Sequence, residues 1–268
     1  MNIIVCVKQV PNTAEIKIDP ETNTLIRAGV ESILNTYDGF ALEAAARIKD
    51  ELPETRIFVL SMGPPQAENA LRECLAVAAD TAYLATDRLF GGSDTLATSY
   101  ILSECIKKIE ELEALKFDAV FCGKQAIDGD TAQTGPAIAE FLELPQITGA
   151  LTCQYKNGAL NVVREADNGR QVMGVGFPCM VAFTKPNFDP RFPSVKRKLA
   201  AKKAEIRHIG IADMPHIDTA KIGLQGSPTK VKKTFVMPVK SGGVTIQEET
   251  ASAAAAKLVG LLAKQGIV

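Results

Sequence analysis

The chain of 268 residues contains no tryptophan and only two histidines, His208 and His216. Its six cysteines show no CxxC or CxxxC spacing, so neither a cysteine–histidine metal centre nor a Cys–His nucleophile pair is expected. Most of these cysteines lie in apolar runs, where a reduced cysteine packs as a small hydrophobe. We therefore expect reduced core cysteines and a cytoplasmic protein.

The sequence also lacks an excess of either charge, with 30 basic and 31 acidic residues. A general nucleic-acid binder normally carries a strong basic excess, so that class is not expected. No apolar run approaches the roughly 18 to 20 residues of a membrane span. The first eight residues, MNIIVCVK, have no basic leader and resemble a strand, so we expect neither export nor membrane insertion.

Short apolar runs alternate with helical patterns along the first two thirds of the chain. The strand-like runs are residues 3–7, 57–62, 82–85, 119–122 and 180–184, and the helical patterns are residues 39–50, 67–79 and 95–115. This alternation predicts an α/β fold with a Rossmann-like parallel sheet and helices on both faces. Ligands of such sheets bind at the carboxyl ends of the strands.

The pattern changes after Leu151. Residues 152–175 predict short strands joined by tight turns, which indicates a small antiparallel addition. Residues 185–198 are basic and interrupted by proline, so they form neither a long helix nor a central strand. Residues 206–246 show no clear period and a short alanine-rich helix follows over residues 249–264. We interpret this tail as an extended arm packed on another chain because several apolar residues occur in it: Ile209, Ile211, Ile222, Leu224, Phe235, Val236 and Met237.

The most informative segment is residues 121–136, FCGKQAIDGDTAQTGP. An apolar run ends at Gly123, a polar glycine-rich loop follows, and a helical pattern begins near Thr131. A helix N-terminus reached in this way can bind a phosphate with its free N–H groups. The segment fits neither Gx4GK[ST] nor GxGxxG. Taken alone, it leaves two alternatives open, a nucleotide site or a plain turn in which Asp130 and Thr131 cap the helix.

Five ordered motifs carry a family resemblance: residues 5–11 (VCVKQVP), 35–38 (NTYD), 61–64 (SMGP), 123–136 and 190–192 (PRF). Together they resemble the beta (small) subunit of electron-transfer flavoproteins over nearly the whole chain. The resemblance implies an adenine-nucleotide alpha-hydrolase-like fold. It also implies a heterodimer with an alpha subunit that carries one FAD in its own domain.

The loop distinguishes two types within this family. In the respiratory type the beta subunit binds structural AMP and its loop resembles KQAIDDDCNQTG, whereas this chain has KQAIDGDTAQTG. The latter is similar to the electron-bifurcating type, whose beta subunit binds FAD and receives hydride from NADH. Gly129 and Ala132 replace an aspartate and an asparagine. The replacements remove bulk and one charge where a diphosphate would approach the backbone.

The resemblance implies a set of cofactor-binding residues, with no catalytic acid, base or nucleophile and no metal ligand. On the adenine side they are Cys6, Asn35, Tyr37, Asp38 and Met62; around the phosphates and ribose they are Gly123, Gln125, Gly129, Asp130, Thr131, Gln133 and Thr134; near the extra flavin they are Asp94, Thr95 and Thr98. Thr36 departs from the proline that is more common in this turn. By pattern alone, Cys6 and Met62 read as core residues and residues 91–98 as a loop with a helix cap.

The proline-rich segment corresponds to the family's recognition loop, which docks a partner dehydrogenase. Its implied contacts are Arg191, Phe192, Val195 and Lys196, where Val195 stands at the position of a leucine anchor. Apolar anchors with basic neighbours suit docking, although a solvated basic loop fits the same pattern. We expect a nucleotide-binding domain over residues 1–190, a recognition loop over 187–199 and an arm over 200–268 that packs on the alpha subunit.

These implications combine into a functional hypothesis. The chain would be one subunit of an NADH-dependent oxidoreductase that bifurcates electrons and is inactive alone. One electron would go to ferredoxin or flavodoxin. The other would pass through the alpha-subunit FAD to an acyl-CoA dehydrogenase or enoyl-CoA reductase, or to a lactate dehydrogenase-type partner in related complexes. Two alternatives stay open, a one-FAD, one-AMP electron carrier and a stand-alone ATP-binding α/β protein.

Overall fold

The computed structural model describes residues 1–12, 32–230, 232 and 242–268. Phe235, Val236 and Met237 of the predicted arm therefore lie outside the described residues. In chain order the described strands are β1 (Asn2–Cys6), β2 (Gln9–Pro11), β3 (Ser32–Leu34), β4 (Arg56–Met62), β5 (Thr81–Ala85), β6 (Ala119–Gly123), β7 (Gln146–Lys156), β8 (Ala159–Ala166), β9 (Gly169–Val175), β10 (Cys179–Phe183) and β11 (Ile206–Ile209). The described α-helices are α1 (Thr36–Glu51), α2 (Glu68–Val77), α3 (Thr95–Glu113), α4 (Thr134–Phe141), α5 (Val195–Lys203), α6 (Gly223–Gly226) and α7 (Ala251–Lys264).

Within the described ranges, nine strands form one sheet in the order β11-β5-β4-β1-β6-β10-β7-β8-β9. The pairs from β11 to β7 are parallel, and β8 and β9 extend the sheet in antiparallel fashion. A separate antiparallel pair joins β2 to β3. The α/β fold with a parallel sheet and a small antiparallel addition is confirmed.

The two faces of the sheet are buried under different helices. Along β1, Ile3 and Val5 pack on one face and Ile4 and Cys6 on the other, as the two-residue period of a strand requires. The first face is covered by α1, α2 and α5, and the second by α3 and α4. Burial on both sides explains why the central strands are almost continuously apolar.

The chain reverses its direction across the sheet between β1 and β6. The strands that follow β1 in the chain, β4 and β5, lie on one side of it, whereas β6 and β10 lie on the other. The helix after β1 covers one face of the sheet and the helix after β6 covers the opposite face. The loops that leave these two strands therefore separate and open a crevice, which is the usual ligand position in open α/β sheets.

Two element boundaries differ from the sequence-based expectation. The helix after β6 begins at Thr134 rather than near Thr131, because Asp130 and Ala132 adopt left-handed φ angles of +53° and +52° that a helix cannot contain. The last helix begins at Ala251, where the Thr250 hydroxyl accepts the N–H of Ala253.

The first part of the predicted arm belongs to the domain. Strand β11 pairs with β5 in parallel, and Ile209, Met214, Ile217 and Ile222 are buried in the core on the α3 side of the sheet. Residues 206–227 therefore pack on this chain itself. The sequence pattern missed β11 because only the outer residues of this four-residue strand, Ile206 and Ile209, are apolar.

In the described ranges, no helix has both the length and the apolar character that crossing a bilayer requires.

Candidate functional site

A cavity of about 540 Å³ opens at the carboxyl ends of β1 and β6. Its volume is within the range of cofactor sites. Thirteen of the fifteen residues predicted to bind cofactor line it: Cys6, Asn35, Asp38, Met62, Asp94, Thr95, Thr98, Gly123, Gln125, Gly129, Thr131, Gln133 and Thr134. The fold thus brings together residues that are up to 128 positions apart in the sequence.

Asp38 joins the ends of the two strands that border the crevice. Its Oδ2 accepts the N–H of Lys8, just after β1, at 2.8 Å, and its Oδ1 accepts the N–H of Gly123, at the end of β6, at 3.0 Å. A side chain on Gly123 would overlap the Asp38 carboxylate and the backbone of Tyr37. Glycine at this position is therefore required for the close approach of α1 to β6.

The Asp38 carboxyl group titrates near neutrality. Burial raises its pKa to about 7, although hydrogen bonds from Lys8, Asn35 and Gly123 act in the opposite direction. The side-chain ammonium of Lys8 does not pair with it, because it contacts Asp128 at 2.7 Å. Asp38 is thus a buried acid that is held by N–H donors rather than by a salt bridge.

Asn35 fixes the glycine-rich loop to the start of α1. Its side chain is buried, its Nδ2 donates to the carbonyl of Gln125 at 2.9 Å, and its Oδ1 accepts the N–H of Ile127 at 3.1 Å. The backbone N–H of Asn35 donates to the carbonyl of Lys8. Asn35 therefore sets the position of the loop relative to β1.

The N-terminus of α4 lies open on the cavity. Its N-cap residue, Gln133, makes no side-chain capping hydrogen bond, and Thr131, Gln133 and Thr134 line the cavity wall. Asp130 and Thr131 do not cap this helix, so the capping alternative for them is wrong. Backbone N–H groups without an intrahelical partner are the donors that bind phosphate at a helix start.

The N-terminus of α3, on the same cavity, is already capped. One Asp94 carboxylate oxygen accepts the N–H groups of Leu96 and Ala97, and the other accepts the N–H of Thr229 at 2.9 Å. These hydrogen bonds lower the pKa of Asp94 despite its partial burial, which raises it. Asp94 is therefore a helix cap that also lines the cavity, and Thr95 reaches across it to Gln133 at 3.1 Å.

Sequence reasoning missed Thr229, which lines the cavity. No local motif marks this residue. It reaches the site because the N–H of Asp94 donates to the hydroxyl of Ser227, and Ser227 in turn donates to the carbonyl of Gly223. Lys8 and Lys124 also line the cavity but were not among the predicted contacts; Lys124 stands between the predicted Gly123 and Gln125, and Lys8 stands two residues after the predicted Cys6.

Two predicted residues do not line the cavity. Tyr37 packs on the core cluster of the opposite sheet face, with its ring 6.4 Å from that of Phe40. Asp130 accepts a hydrogen bond of 2.5 Å from the Gln125 side chain and supports the loop from outside. Both interpretations of Cys6 and Met62, as core residues and as cavity residues, hold, since they pack on the core and also line the cavity. Burial raises the pKa of the Cys6 thiol to about 12, and all six cysteines are buried and free of disulfides.

A second cavity of about 800 Å³ adjoins the first, because Lys124 and Ala132 line both. It lies between the start of α4 and the antiparallel strands β7 and β8. Four of its lining residues are basic, namely Lys124, Arg164, Arg170 and Lys185, and two are acidic, namely Glu165 and Asp167.

Comparison with known proteins identifies the family. The model of the electron transfer flavoprotein domain matches residues 22–214. The chain belongs to the electron transfer flavoprotein family. It is 49% identical over 250 residues to an electron transfer flavoprotein subunit beta from Megasphaera elsdenii, covering 93% of this chain and 92% of that one.

Two further relatives have more specific names. Subunit CarD of a caffeyl-CoA reductase-Etf complex from Acetobacterium woodii is 45% identical over 268 residues, which is the full length of both chains. The FixA protein of Azorhizobium caulinodans is 41% identical over 268 residues, covering 99% of this chain and 95% of that one. This chain is thus the small subunit of an electron transfer flavoprotein, and the stand-alone ATP-binding alternative is not supported.

The segment predicted to dock a partner is half loop and half helix in this electron transfer flavoprotein subunit. Residues 184–194 are irregular and α5 follows. Phe192 and Val195 are exposed by 93% and 75%, and Lys196 is exposed as well. Arg191 differs from them, because its guanidinium is bound within the chain by Glu43 and Asp50.

Proposed function

We propose that this chain binds one FAD in the nucleotide cavity and works with an alpha subunit that carries a second FAD. The heterodimer accepts hydride from NADH and bifurcates the electrons. One electron goes to ferredoxin or flavodoxin, and the other goes to an acyl-CoA dehydrogenase or enoyl-CoA reductase partner. The site of action is the cytoplasm, where six buried thiols remain reduced.

The observation that carries this proposal is the uncapped start of α4 on the cavity wall. Free N–H groups and the helix dipole together favour a bound phosphate. Lys8 and Lys124 line the same cavity; Lys8 pairs with Asp128, whereas Lys124 makes no ion pair in the described part of the chain. This end of the cavity therefore suits a diphosphate.

Space beside the loop supports FAD rather than AMP. A Cβ built on Gly129 meets no atom within 4 Å, so the place that an aspartate would fill is open to a ligand. Ala132 borders both cavities, and its side chain is smaller than the asparagine of the respiratory type. A ligand longer than a mononucleotide can thus extend past the start of α4.

When bound, FAD supplies the hydride and single-electron chemistry that no protein side chain can perform. The chain's own residues would bind and orient it. Thr131, Gln133 and Thr134 present donors to the phosphates, whereas Asn35 and Asp38 set the loop and strand ends that shape the cavity. No side chain of this subunit is required as an acid, a base or a nucleophile.

The partner class is supported by one relative's name. CarD belongs to a complex that contains a caffeyl-CoA reductase, and it matches this chain from end to end. We infer a partner that acts on a CoA thioester, with a lactate dehydrogenase-type enzyme as the alternative. Phe192, Val195 and Lys196 are the proposed contacts, because they combine apolar anchors with positive charge on an exposed surface.

The arm after residue 241 is proposed to contact the alpha subunit. In α7 the residues Leu258 and Val259 are 48% and 56% exposed, and none of its residues is buried. An apolar helix with no residue buried against its own chain suits a subunit interface.

Anaerobic reduction by NADH tests the proposal. The purified heterodimer is mixed with NADH without any partner enzyme, and the visible flavin absorbance is recorded. We expect rapid loss of flavin absorbance in the wild type and little in the double variant Gly129→Asp, Ala132→Asn. If NADH leaves the wild-type flavin oxidised, the alternative of a structural AMP and a single redox FAD is correct.

A further inference from the structure

The segment that is proposed to meet the partner is attached to the domain at two points. We define the docking segment as residues 188–203. It presents three exposed apolar side chains, Phe192, Val195 and Leu199. Val195 and Leu199 are four positions apart in α5 and therefore lie on one face of this helix.

The first attachment is made by Arg191. Its backbone N–H and its Nε donate to Glu43 Oε2 at 3.1 and 2.8 Å, and its Nη2 donates to Asp50 Oδ2 at 2.6 Å. Glu43 and Asp50 stand on α1. The Glu43 side chain is only 4% exposed. Arg191, the residue after Pro190 in the docking segment, is therefore bound to a buried carboxylate.

Arg47 completes this attachment. Its Nε donates to the second oxygen of Glu43 at 2.8 Å, and its guanidinium lies 3.5 Å from the centre of the Phe188 ring. Glu43 is thus held by two arginines, one from the docking segment and one that stacks on it. Burial raises the pKa of Glu43, but the hydrogen bonds from Arg191 and Arg47 outweigh it and lower the pKa overall.

The second attachment joins α5 to α2 by exchanged arginines. Arg197 of α5 donates to the carbonyls of Leu75 and Ala79 at the end of α2, at 3.1 and 3.0 Å. Arg72 of α2 donates to the carbonyls of Ala201 and Ala204 at the end of α5, both at 3.1 Å. Each arginine satisfies carbonyls that a helix C-terminus leaves without partners.

We propose that Glu43 is a positioning residue for partner docking: with Arg191, and together with the α2–α5 attachment, it holds the docking segment in one conformation before any partner arrives. The apolar stripe is then ordered in the free protein, and binding loses less conformational entropy. The effect on partner binding rests on the proposed docking role. The ordering of the docking segment does not, because it depends only on contacts within this chain.

Amide hydrogen exchange in the heterodimer, without a partner, tests the positioning role. In Glu43→Gln and in Asp50→Asn we expect the amide of Arg191, whose N–H donates to Glu43, to exchange at least about tenfold faster, because charged hydrogen bonds that restrain the loop are lost. Asp50 is 61% exposed, so the second variant removes an attachment without disturbing the core. Glu51→Gln makes the same charge change on α1 without a contact to the segment and is expected to leave exchange unchanged.

A spin label gives an independent reading. Asp189 is exposed, and the buried native cysteines do not compete for labelling of an Asp189→Cys variant. The label is expected to become more mobile in the Asp50→Asn background but not in the Glu51→Gln background. Unchanged exchange and unchanged label mobility in both anchor variants would overturn the inference. Neither measurement depends on FAD or on a partner, so the proposed function stands or fails separately.

Discussion

The charge state of Asp38 acts on the two strand ends that border the cavity. Its two oxygens accept the N–H groups at the ends of β1 and β6, and the positive charge of Lys8, which pairs with Asp128, lowers the pKa of Asp38 less than burial raises it. In the folded chain its pKa is raised to about 7, whereas an unfolded aspartate has a pKa of about 3.9. The folded state therefore binds the proton more tightly, and the ionised form lowers stability.

The sign of the pH dependence follows from this difference. Between pH values of about 4 and 7 the folded state holds more protons at Asp38 than the unfolded state, so stability decreases as the pH rises through this window. Asp38→Asn removes this pH-dependent contribution. The asparagine NH2 group then faces one of the two backbone N–H donors and leaves it without an acceptor, which lowers the free energy of unfolding by about 1–3 kcal/mol. We expect the melting temperature of the wild type relative to the variant to fall as the pH rises through this window. A constant difference would contradict a raised pKa.

Gly129 and Ala132 allow a test of FAD binding with little risk to the fold. An aspartate at 129 meets no protein atom within 4 Å of its Cβ, and asparagine tolerates the left-handed φ of +52° at 132 better than alanine does. We expect the double variant Gly129→Asp, Ala132→Asn to remain folded but to retain much less FAD in this subunit, because a carboxylate near a phosphate repels it. Wild-type FAD content in the purified variant would refute the steric and electrostatic argument.

Residue patterns in the sequence identified most of the cavity, and the exceptions have physical explanations. Gly123, Asn35 and Thr131 fall in motifs that carry a family resemblance. Tyr37 falls in a motif too, but it lies on the first turn of α1, where its side chain points to the opposite core. Thr229 lacks any local signal, because long-range hydrogen bonds of Asp94 with Ser227 and with Thr229 itself bring it to the cavity.

At the scale of elements, the docking segment shows what a linear pattern cannot resolve. Arg191 and Lys196 are both basic and were predicted alike as partner contacts. The structure separates them, because Arg191 is bound by Glu43 and Asp50 whereas Lys196 is exposed. Glu43 lies 148 residues away from Arg191 in the chain, so their pairing depends on the fold and not on any local motif.

The exposed stripe of this segment can be tested by substitution. We expect Phe192→Ala together with Leu199→Ala to reduce electron transfer to an acyl-CoA dehydrogenase at least about tenfold, because truncating a hot-spot anchor costs about 2 kcal/mol or more. Flavin reduction by NADH is expected to stay unchanged. Val172, which is 76% exposed on β9, provides a matched apolar control as Val172→Ala. Equal loss in both reactions would mean that the segment is structural.

The pairing of β11 with β5 implies that the folded domain extends beyond residue 205. Ile209 and Ile222 are buried in its core, so a chain truncated after Glu205 loses these contacts and is expected to aggregate. A chain truncated after residue 247 keeps them, and we expect it to remain folded but to associate poorly with the alpha subunit. Soluble expression and gel filtration with the alpha subunit distinguish the two truncations. A stable fold without residues 206–227 would contradict their assignment to the domain.

At the scale of the whole molecule, the parallel core was predictable and its edges were not. The alternation of apolar runs and helical periods determines β1, β4, β5, β6 and β10, because these strands are buried on both faces. Strand β11 lies at the sheet edge, where Arg207 and His208 are exposed, and its pattern is therefore weak. The switch point between β1 and β6 follows from strand order, which periodicity alone does not give.

The cavity and the docking segment lie in separate regions of the molecule. The nucleotide cavity occupies the carboxyl ends of β1 and β6, whereas the docking segment is attached to α1 and α2 on the opposite sheet face from α4. Helix α1 connects them, since Asp38 in its first turn supports the cavity and Glu43 in its second supports Arg191. Helix α1 thus fixes the position of the cavity relative to the docking segment.

The nucleotide content of the purified heterodimer distinguishes the proposed FAD site from a structural AMP site. The chain is produced with its alpha subunit, the bound nucleotides are released by acid or heat, and they are quantified by chromatography. We expect two FAD and no AMP per heterodimer. One FAD and one AMP would contradict it and would make this subunit a structural nucleotide binder.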